Sequence, residues 1–298
     1  MKRINVSVII INYNTKEITS QCINSIFEQT KSVSFEIILV DNNSTDGSKE
    51  QFSLDNRIIY IYNSQNIGFG GANNIGYQYA KGEYIFLLNS DTILLNDAIS
   101  IFYNKIKELP KDVGCLGSML LDNNHSIGLS YGRFPTIWSS LYHLALCPIF
   151  HLNIQFEKYF NYKGIPKDWI EVDYITGADI FLKRNIIDKY GLFDTSYFLY
   201  YEETDMQKRY SESGIKRAII QGPQIVHLEA GSSKKTKPSL HKICYTYESC
   251  FRFLKKWYSP FSYIIFKIIF LLTRGMHLLV NPKFAINDKI EFLKLFSK

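Results

Sequence analysis

The sequence predicts an α/β protein, with a mostly parallel central sheet flanked by helices and a helical C-terminal extension. Two observations carry this. Between Ile4 and Met119, short β-branched runs alternate with helix-periodic segments, the pattern of a parallel sheet with crossover helices. One buried run, Ile85-Phe86-Leu87-Leu88, breaks into the polar Asn89-Ser90-Asp91-Thr92, and the carboxyl end of such a strand is where an open α/β sheet presents its chemistry. The 298 residues suffice for one large domain with a tail. An apolar fraction of 46% against 21% charged residues excludes disorder over most of the length.

The elements follow in order. Ile4 to Ile11 reads as the first strand; as a signal-peptide core it is short, and it runs directly into Asn12. Lys16 to Gln29 carries Ile18, Cys22, Ile26 and Ile23, Phe27 at helical spacing. Phe35 to Val40 is the second strand, Asp46-Gly47 turns the chain into a short helix, and Ile58 to Tyr62 is the third strand. A helix over Ala72 to Ala80 ends at Gly82, Tyr84 to Leu88 is the fourth strand, and a helix over Asn96 to Leu109 stops at Pro110. Val113 to Met119 returns as a strand.

From 134 to 169 the pattern dissolves into aromatics, including Trp138 and Trp169, and predicts an insertion over one face. Strands at Val172 to Ile175 and Ile180 to Lys183 flank Thr176-Gly177-Ala178-Asp179; a helix over Glu203 to Ser213 and strands at Ala218 to Ile220 and Ile225 to Leu228 complete a domain of about residues 1–235. Residues 230–238, small, basic and polar, predict a mobile loop, and 236–298 a helical region.

Charge and cysteines narrow the partners. A net charge of +6 without a long basic run gives nucleic acid little support and suits an anionic membrane surface or a diphosphate. Five cysteines, an odd number with no Cys-x-x-Cys pair, indicate neither a disulfide framework nor a zinc site and fit a reducing cytosol. The apolar stretch Tyr258 to Val280 is interrupted by Lys267 and Arg274, seven apart on one helix face. A spanning helix needs about 20 predominantly apolar residues, so this one is expected to lie amphipathically in a membrane interface. The competing reading is a helix packed on the protein's own core.

Several polar motifs recur in a fixed order: Asn12-Tyr13-Asn14, Val40-Asp41-Asn42-Asn43-Ser44-Thr45-Asp46-Gly47, Asn66-Ile67-Gly68-Phe69-Gly70-Gly71-Ala72-Asn73-Asn74, Asn89-Ser90-Asp91, Tyr201-Glu202-Glu203-Thr204-Asp205 and His227. Over roughly residues 4 to 232 this set resembles glycosyltransferase family 2, on the GT-A fold, and in particular its rhamnosyltransferase-like members that build bacterial surface polysaccharides. The resemblance implies inverting transfer of a sugar from a nucleoside diphosphate donor, dTDP-rhamnose or a UDP-sugar, to a glycan acceptor that is lipid-linked. It also implies Mg²⁺ or Mn²⁺, and a cytoplasmic protein held at the inner face of the cell membrane.

The chemistry assigns roles. Charge accumulates on the departing diphosphate and must be neutralised, and a hard divalent ion with oxygen ligands does this. Asp91 is the candidate ligand; the family's Asp-x-Asp is Asn89-Ser90-Asp91 here, so the first position supplies no charge. His227 resembles the later histidine that completes the metal shell. Asp41, at a strand end, can accept the imide N–H of uracil or thymine, Tyr13 offers a stacking ring, and Asn12 and Asn14 offer amides. Asn66, Gly70, Gly71, Asn74, Asn89 and Ser90 fall on the nucleotide side, where glycine permits close backbone approach. The spacing is neither a Walker loop nor a Rossmann fingerprint.

An inverting transfer needs a base opposite the leaving group. Glu203 takes that position by its match to the family's acidic pair, with Glu202 and Asp205 as rivals, because Glu places its carboxylate about 1.5 Å beyond the family's usual Asp. Asp173, Gly177, Ala178 and Asp179 are expected on the acceptor side. Structural alternatives stay open: a helix cap for Asp91 and macrodipole-favoured acids for 202–205. Two other classes compete. A sugar-phosphate nucleotidylyltransferase would need an Arg- and Lys-bearing triphosphate loop that Asn12 to Lys16 does not provide, and a non-catalytic sugar- or partner-binding module would release no nucleotide.

Overall fold

The computed structural model describes residues 3–150, 159–228, 240–282 and 286–297. In chain order the strands are β1 (Val6–Asn12), β2 (Phe35–Asp41), β3 (Ile59–Tyr62), β4 (Tyr84–Asn89), β5 (Thr92–Leu94), β6 (Val113–Ser118), β7 (Tyr131–Gly132), β8 (Trp169–Val172), β9 (Tyr174–Ile175), β10 (Asp179–Lys183), β11 (Lys216–Ile220) and β12 (Ile225–His227). Eight of them form one sheet in the order β3-β2-β1-β4-β10-β6-β11-β8. The first four run parallel. β10 enters antiparallel to both β4 and β6, which returns β6 and β11 to the common direction, and antiparallel β8 closes the edge.

Strand periodicity builds a core on each face. On one, Val6, Val8 and Ile10 pack with Cys22, Ile23 and Ile26 of helix Lys16–Gln29 and with Phe102 and Ile106 of helix Ala98–Glu108. On the other, Ile9, Ile38, Val40, Ile85 and Leu87 pack with Ala72 of helix Gly68–Tyr79 and with Met206 and Tyr210 of helix Glu202–Glu212. Strands covered on both faces read as continuous apolar runs, as β1 and β4 do.

Two boundaries differ from expectation for physical reasons. The helix expected from Ala72 starts at Gly68, so the glycine-rich stretch is its first turn. Gly68 takes a left-handed φ of 81°, and a Cβ there would stand 2.3 Å from the Phe198 carbonyl oxygen. The strand expected over Val172 to Ile175 breaks at Asp173, whose carboxylate accepts the Phe134 amide at 3.0 Å and the Tyr162 hydroxyl at 3.1 Å. The aromatic insertion contains a helix over Ile137–Phe150. The expected loop at 230–238 lies outside the described residues.

The C-terminal helices Leu240–Trp257, Pro260–Val280 and Ile286–Ser297 share a third core with the insertion: Leu141 and Ala145 pack with Tyr197, Tyr247, Phe251, Phe253, Phe266, Phe270 and Phe292. The orientation of Pro260–Val280 reverses the amphipathic expectation. Arg274 is buried and donates from Nε to the Tyr247 hydroxyl at 3.0 Å, while Phe261, Ile264, Ile268, Leu272, Met276 and Val280 are exposed. The interrupting cation at 274 faces inward, and the outward stripe is apolar. Among the described residues this is the one helix whose length and composition would suffice to cross a membrane.

Candidate active site

The carboxyl ends of the parallel strands meet at one edge. Asn12 sits beside Asp41 in the β1–β2 register, and Ile11 beside Asn89 in β1–β4. Above that edge opens a cavity of about 510 Å³, lined by Tyr13, Thr15, Asn42, Asn66, Gly68, Asn89, Ser90 and Asp91, and on the far side by Phe198, Leu199 and Tyr245.

A carboxylate and an imidazole converge there. Asp91 follows β4, and antiparallel pairing of β5 with β12, from far along the chain, sets His227 opposite Thr92, bringing His227 Nε2 to 3.2 Å from Asp91 Oδ1 and 3.4 Å from Asn89 Nδ2. The Leu228 amide donates to the Asp91 carbonyl at 2.8 Å and fixes the pairing. Among the described residues no group of three or more His, Cys, Asp or Glu side chains gathers at one point. One carboxylate, one imidazole and adjoining open space fit a hard divalent ion whose other oxygen ligands come from a diphosphate.

Several residues expected at the nucleotide build the loops instead. Asn12 is fully buried; its Oδ1 accepts from the Thr15 and Thr19 hydroxyls and its Nδ2 donates to Ser44 Oγ. Asn14 Oδ1 accepts the Thr45 amide. Asn74 donates to the Phe193 carbonyl and accepts the Phe193 amide, tying the helix to 193. Gly70 and Gly71 make room inside, since a Cβ would meet Phe193 Cβ at 3.0 Å and Ile67 at 3.3 Å. Asp41 is fully buried and accepts the Ser44 amide at 2.8 Å and the Tyr60 hydroxyl at 2.9 Å. Tyr13, Asn66, Asn89 and Ser90 do line the cavity.

Sequence reasoning left Asn42 without a role of its own. Its amide spans Asn66 Oδ1 at 2.7 Å, the Gly68 carbonyl at 3.2 Å and the Ile67 amide at 3.2 Å, and so sets the start of the glycine helix. Tyr245, from a helix far along the chain, carried no sequence signal.

The acidic helix Glu202–Glu212 begins after Tyr200 and Tyr201, both at φ 68°. A left-handed backbone at a bulky residue costs about 1–3 kcal/mol, so this turn must be held by its surroundings. Its acids then point apart. Glu202 is buried, with its Cβ 3.5 Å from where a Gly70 Cβ would sit, and burial reinforced by the Glu203 charge pushes its carboxyl well above the usual range. Asp205 is fully buried and accepts from Lys256 Nζ and Trp257 Nε1, each at 2.8 Å. Glu203 faces a second cavity of about 410 Å³, lined also by His143, Tyr159, Tyr174, Thr176, Tyr200 and Tyr201, and burial raises its pKa. Of the three candidate bases, Glu203 alone lines a cavity.

The acceptor-side expectation is corrected in part. Gly177 lies against Glu203, whose Cγ would be 3.7 Å from an added Cβ. Ala178 is buried and lends its carbonyl to the Asn89 amide at 3.0 Å. Asp173 is spent on Phe134 and Tyr162. Asp179 is fully buried and accepts the Ser118 amide and hydroxyl at 2.8 and 2.6 Å, and burial pushes it up to about 7. Of the two tryptophans that bound the aromatic insertion, Trp138 is exposed and Trp169 packs on the core.

Residues 7–191 match the family described as Glycosyl transferase family 2. The chain belongs to this family. It is similar to Glycosyltransferase GlyG of Streptococcus pneumoniae serotype 4, at 38% identity over 43% of this chain and 42% of that protein. It is also similar to the N-acetylglucosaminyl-diphospho-decaprenol L-rhamnosyltransferase of Mycobacterium tuberculosis, at 22% identity over 68% of this chain and 69% of that one. The chain thus spans less than half the length of the first of these relatives. A crystal structure of GalNAc-T7 with UDP, GalNAc and Mn²⁺ superposes with a TM-score of 0.61 at 16% identity, over 99% of this chain and 55% of that one. The fold is the GT-A fold that the motif order implied.

Asp179 generates a stability prediction. Its folded pKa of about 7 lies above the usual carboxylate value, so between about pH 4 and 7 the folded state holds a proton that the unfolded chain has released. Stability therefore falls as pH rises through that window, by up to about 1.4 kcal/mol per pH unit. Urea midpoints of Asp179→Asn between pH 5 and 7 are expected to lose this slope.

Proposed function

We propose that this chain is an inverting glycosyltransferase that moves a sugar from a nucleoside diphosphate donor to a hydroxyl of a lipid-linked glycan, at the cytoplasmic face of the cell membrane. One observation carries the reading: two adjoining cavities are divided by the same short segment. Leu199 lines the cavity that Asp91 lines, and Tyr200 lines the one that Glu203 lines. Donor and acceptor can meet there with a base on the acceptor side.

In this reading the diphosphate lies in the first cavity, where Asn66, Asn89 and Ser90 offer hydrogen bonds and the half-exposed Tyr13 ring stacks on the base. Asp41 reads the base once the Ser44 turn opens, because its carboxylate is closed to solvent as it stands. Asp91 and His227 would hold Mg²⁺ or Mn²⁺, which when bound would neutralise charge on the leaving diphosphate. Glu203 accepts the proton of the acceptor hydroxyl while its oxygen bonds the anomeric carbon. The bond from that carbon to the diphosphate oxygen breaks, and the electron pair leaves with the diphosphate. A deoxyhexose from a thymidine diphosphate donor is the first donor to try, since the mycobacterial relative is by name an L-rhamnosyltransferase.

The exposed stripe Phe261, Ile264, Ile268, Leu272, Met276 and Val280 supports membrane contact, because so continuous an apolar face is rarely left in water. Lipid would cover it along the helix, as for an interfacial helix.

Three outcomes are expected. Glu203→Gln retains donor binding and loses about 10²- to 10⁴-fold in transfer rate; in the parent protein the rate declines as pH falls through a value above that of an ordinary glutamate, because the raised carboxyl must be ionised to accept a proton. Unchanged transfer in this variant moves the base elsewhere. Asp91→Ala abolishes the stimulation of donor turnover by Mn²⁺, read as nucleoside diphosphate release; an intact metal response removes Asp91 from the site. Replacing Ile264, Ile268 and Leu272 together by Glu abolishes co-sedimentation with anionic lipid vesicles while the circular dichroism spectrum stays helical, and persistent binding sinks the membrane reading.

A further inference from the structure

We infer that helix Leu240–Trp257 is a positioning element of the catalytic centre, which clamps the strained turn before Glu203 and so sets where that carboxylate points. The inference rests on the reading of Glu203 as the base. Two consecutive bulky residues, Tyr200 and Tyr201, sit at φ 68° immediately before the helix that carries Glu203. Such a conformation persists only where surrounding contacts over-determine it.

The Phe69 amide holds the Phe198 carbonyl at 3.2 Å from the glycine helix, and a series of further contacts comes from one stripe of helix Leu240–Trp257. Tyr245 stacks on Phe198 with ring centroids 5.0 Å apart, Ser249 Oγ donates to the Leu199 carbonyl at 2.8 Å, and Phe253 lies 5.7 Å from the Tyr201 ring. One turn further on, Lys256 Nζ and Trp257 Nε1 reach the Asp205 carboxylate, each at 2.8 Å. Steps of three or four residues place all of these on a single face. They grip the chain on both sides of the turn, at 198–199 before it and at 201 and 205 after it.

Asp205 is the joint. Its fully buried carboxylate also accepts the Tyr197 hydroxyl at 3.3 Å, with Arg209 Nε at 3.4 Å, and Lys256 bridges it to Asp194 Oδ2 at 3.0 Å. A buried carboxylate deprived of its donors cannot stay where it is, so loosening the C-terminal side of the joint releases the first turn of the acidic helix. The Asp91–His227 pair hangs instead on β4 and the antiparallel β5–β12 pair. Tyr245, Phe198 and Leu199 also wall the first cavity, whereas Ser249, Lys256 and Trp257 line neither cavity, so substitutions at these three act on base placement without removing a donor contact.

The test uses the full chain with Trp257→Phe, which keeps the ring and removes its donor, together with Lys256→Met, Lys256→Arg and Ser249→Ala. Donor turnover with Mn²⁺ is followed with dTDP-rhamnose and UDP-glucose as probes, alongside hydrogen exchange of the backbone. Trp257→Phe and Lys256→Met are expected to lower kcat for transfer at least ten-fold with the donor KM within two-fold of the parent, and to speed exchange at 198–206 but not at 84–94. Lys256→Arg, whose guanidinium can span both carboxylates, restores kcat. A drop in melting temperature with kcat per folded molecule unchanged overturns the clamp and leaves the base standing. Should Trp257→Phe fail to fold, Ser249→Ala decides by the same split. Unchanged transfer in Glu203→Gln overturns the base, and the clamp with it.

Discussion

One buried carboxylate governs how this molecule is assembled. Asp205 has no exposure to solvent, and a charge taken out of water is tolerated only where donors surround it. Its donors come from two places, Tyr197 before the acidic helix and Lys256 with Trp257 from the C-terminal region, and the Arg209 guanidinium adds an opposite charge with Nε at 3.4 Å. The helices after the α/β domain are consequently bound to the acidic helix by an interaction that is expensive to break. The third apolar core, which joins Tyr197 to Tyr247, Phe251 and Phe253, seals that joint against water.

At the sheet edge the polar residues divide into those that build and those that can bind. Loops at the carboxyl ends of parallel strands leave backbone N–H groups without ladder partners, and buried ones must be satisfied. Asn12, Asn14 and Asp41 do this work, each accepting or donating within the two loops after β1 and β2. As the loops stand, these side chains are occupied. What faces the cavity is the second set, Tyr13, Asn66, Asn89, Ser90 and Asp91. The same division separates the acids of the last motif, where Glu202 and Asp205 are interior and Glu203 meets open space.

The long C-terminal helix shows how packing can reverse what a helical wheel implies. A buried arginine is stable when its donors find acceptors, and Arg274 finds the Tyr247 hydroxyl inside the bundle. With that cation turned inward and Phe266 and Phe270 filling the core, the remaining aliphatic side chains have no protein left to cover them. The apolar outer face is a consequence of the inner one.

Periodicity alone specified the alternating strands and helices of the first half, since each depends on a local pattern of two or 3.6 residues. Motif order pointed to the family and made Asp91, His227 and Glu203 candidates, because each stands at or beside the end of a strand or the start of a helix, where local sequence marks a boundary. Local sequence could not reveal that β10 enters the sheet antiparallel, that Asp179 and Asp173 turn away from the acceptor side, or that Tyr245 walls the first cavity. Each of these depends on partners tens of residues distant, and which face of an element is buried is settled only when those partners dock. The left-handed backbone at Tyr200 and Tyr201 is the sharpest case: nothing in two tyrosines favours it, and it exists because the packed helix around it leaves the chain no cheaper path.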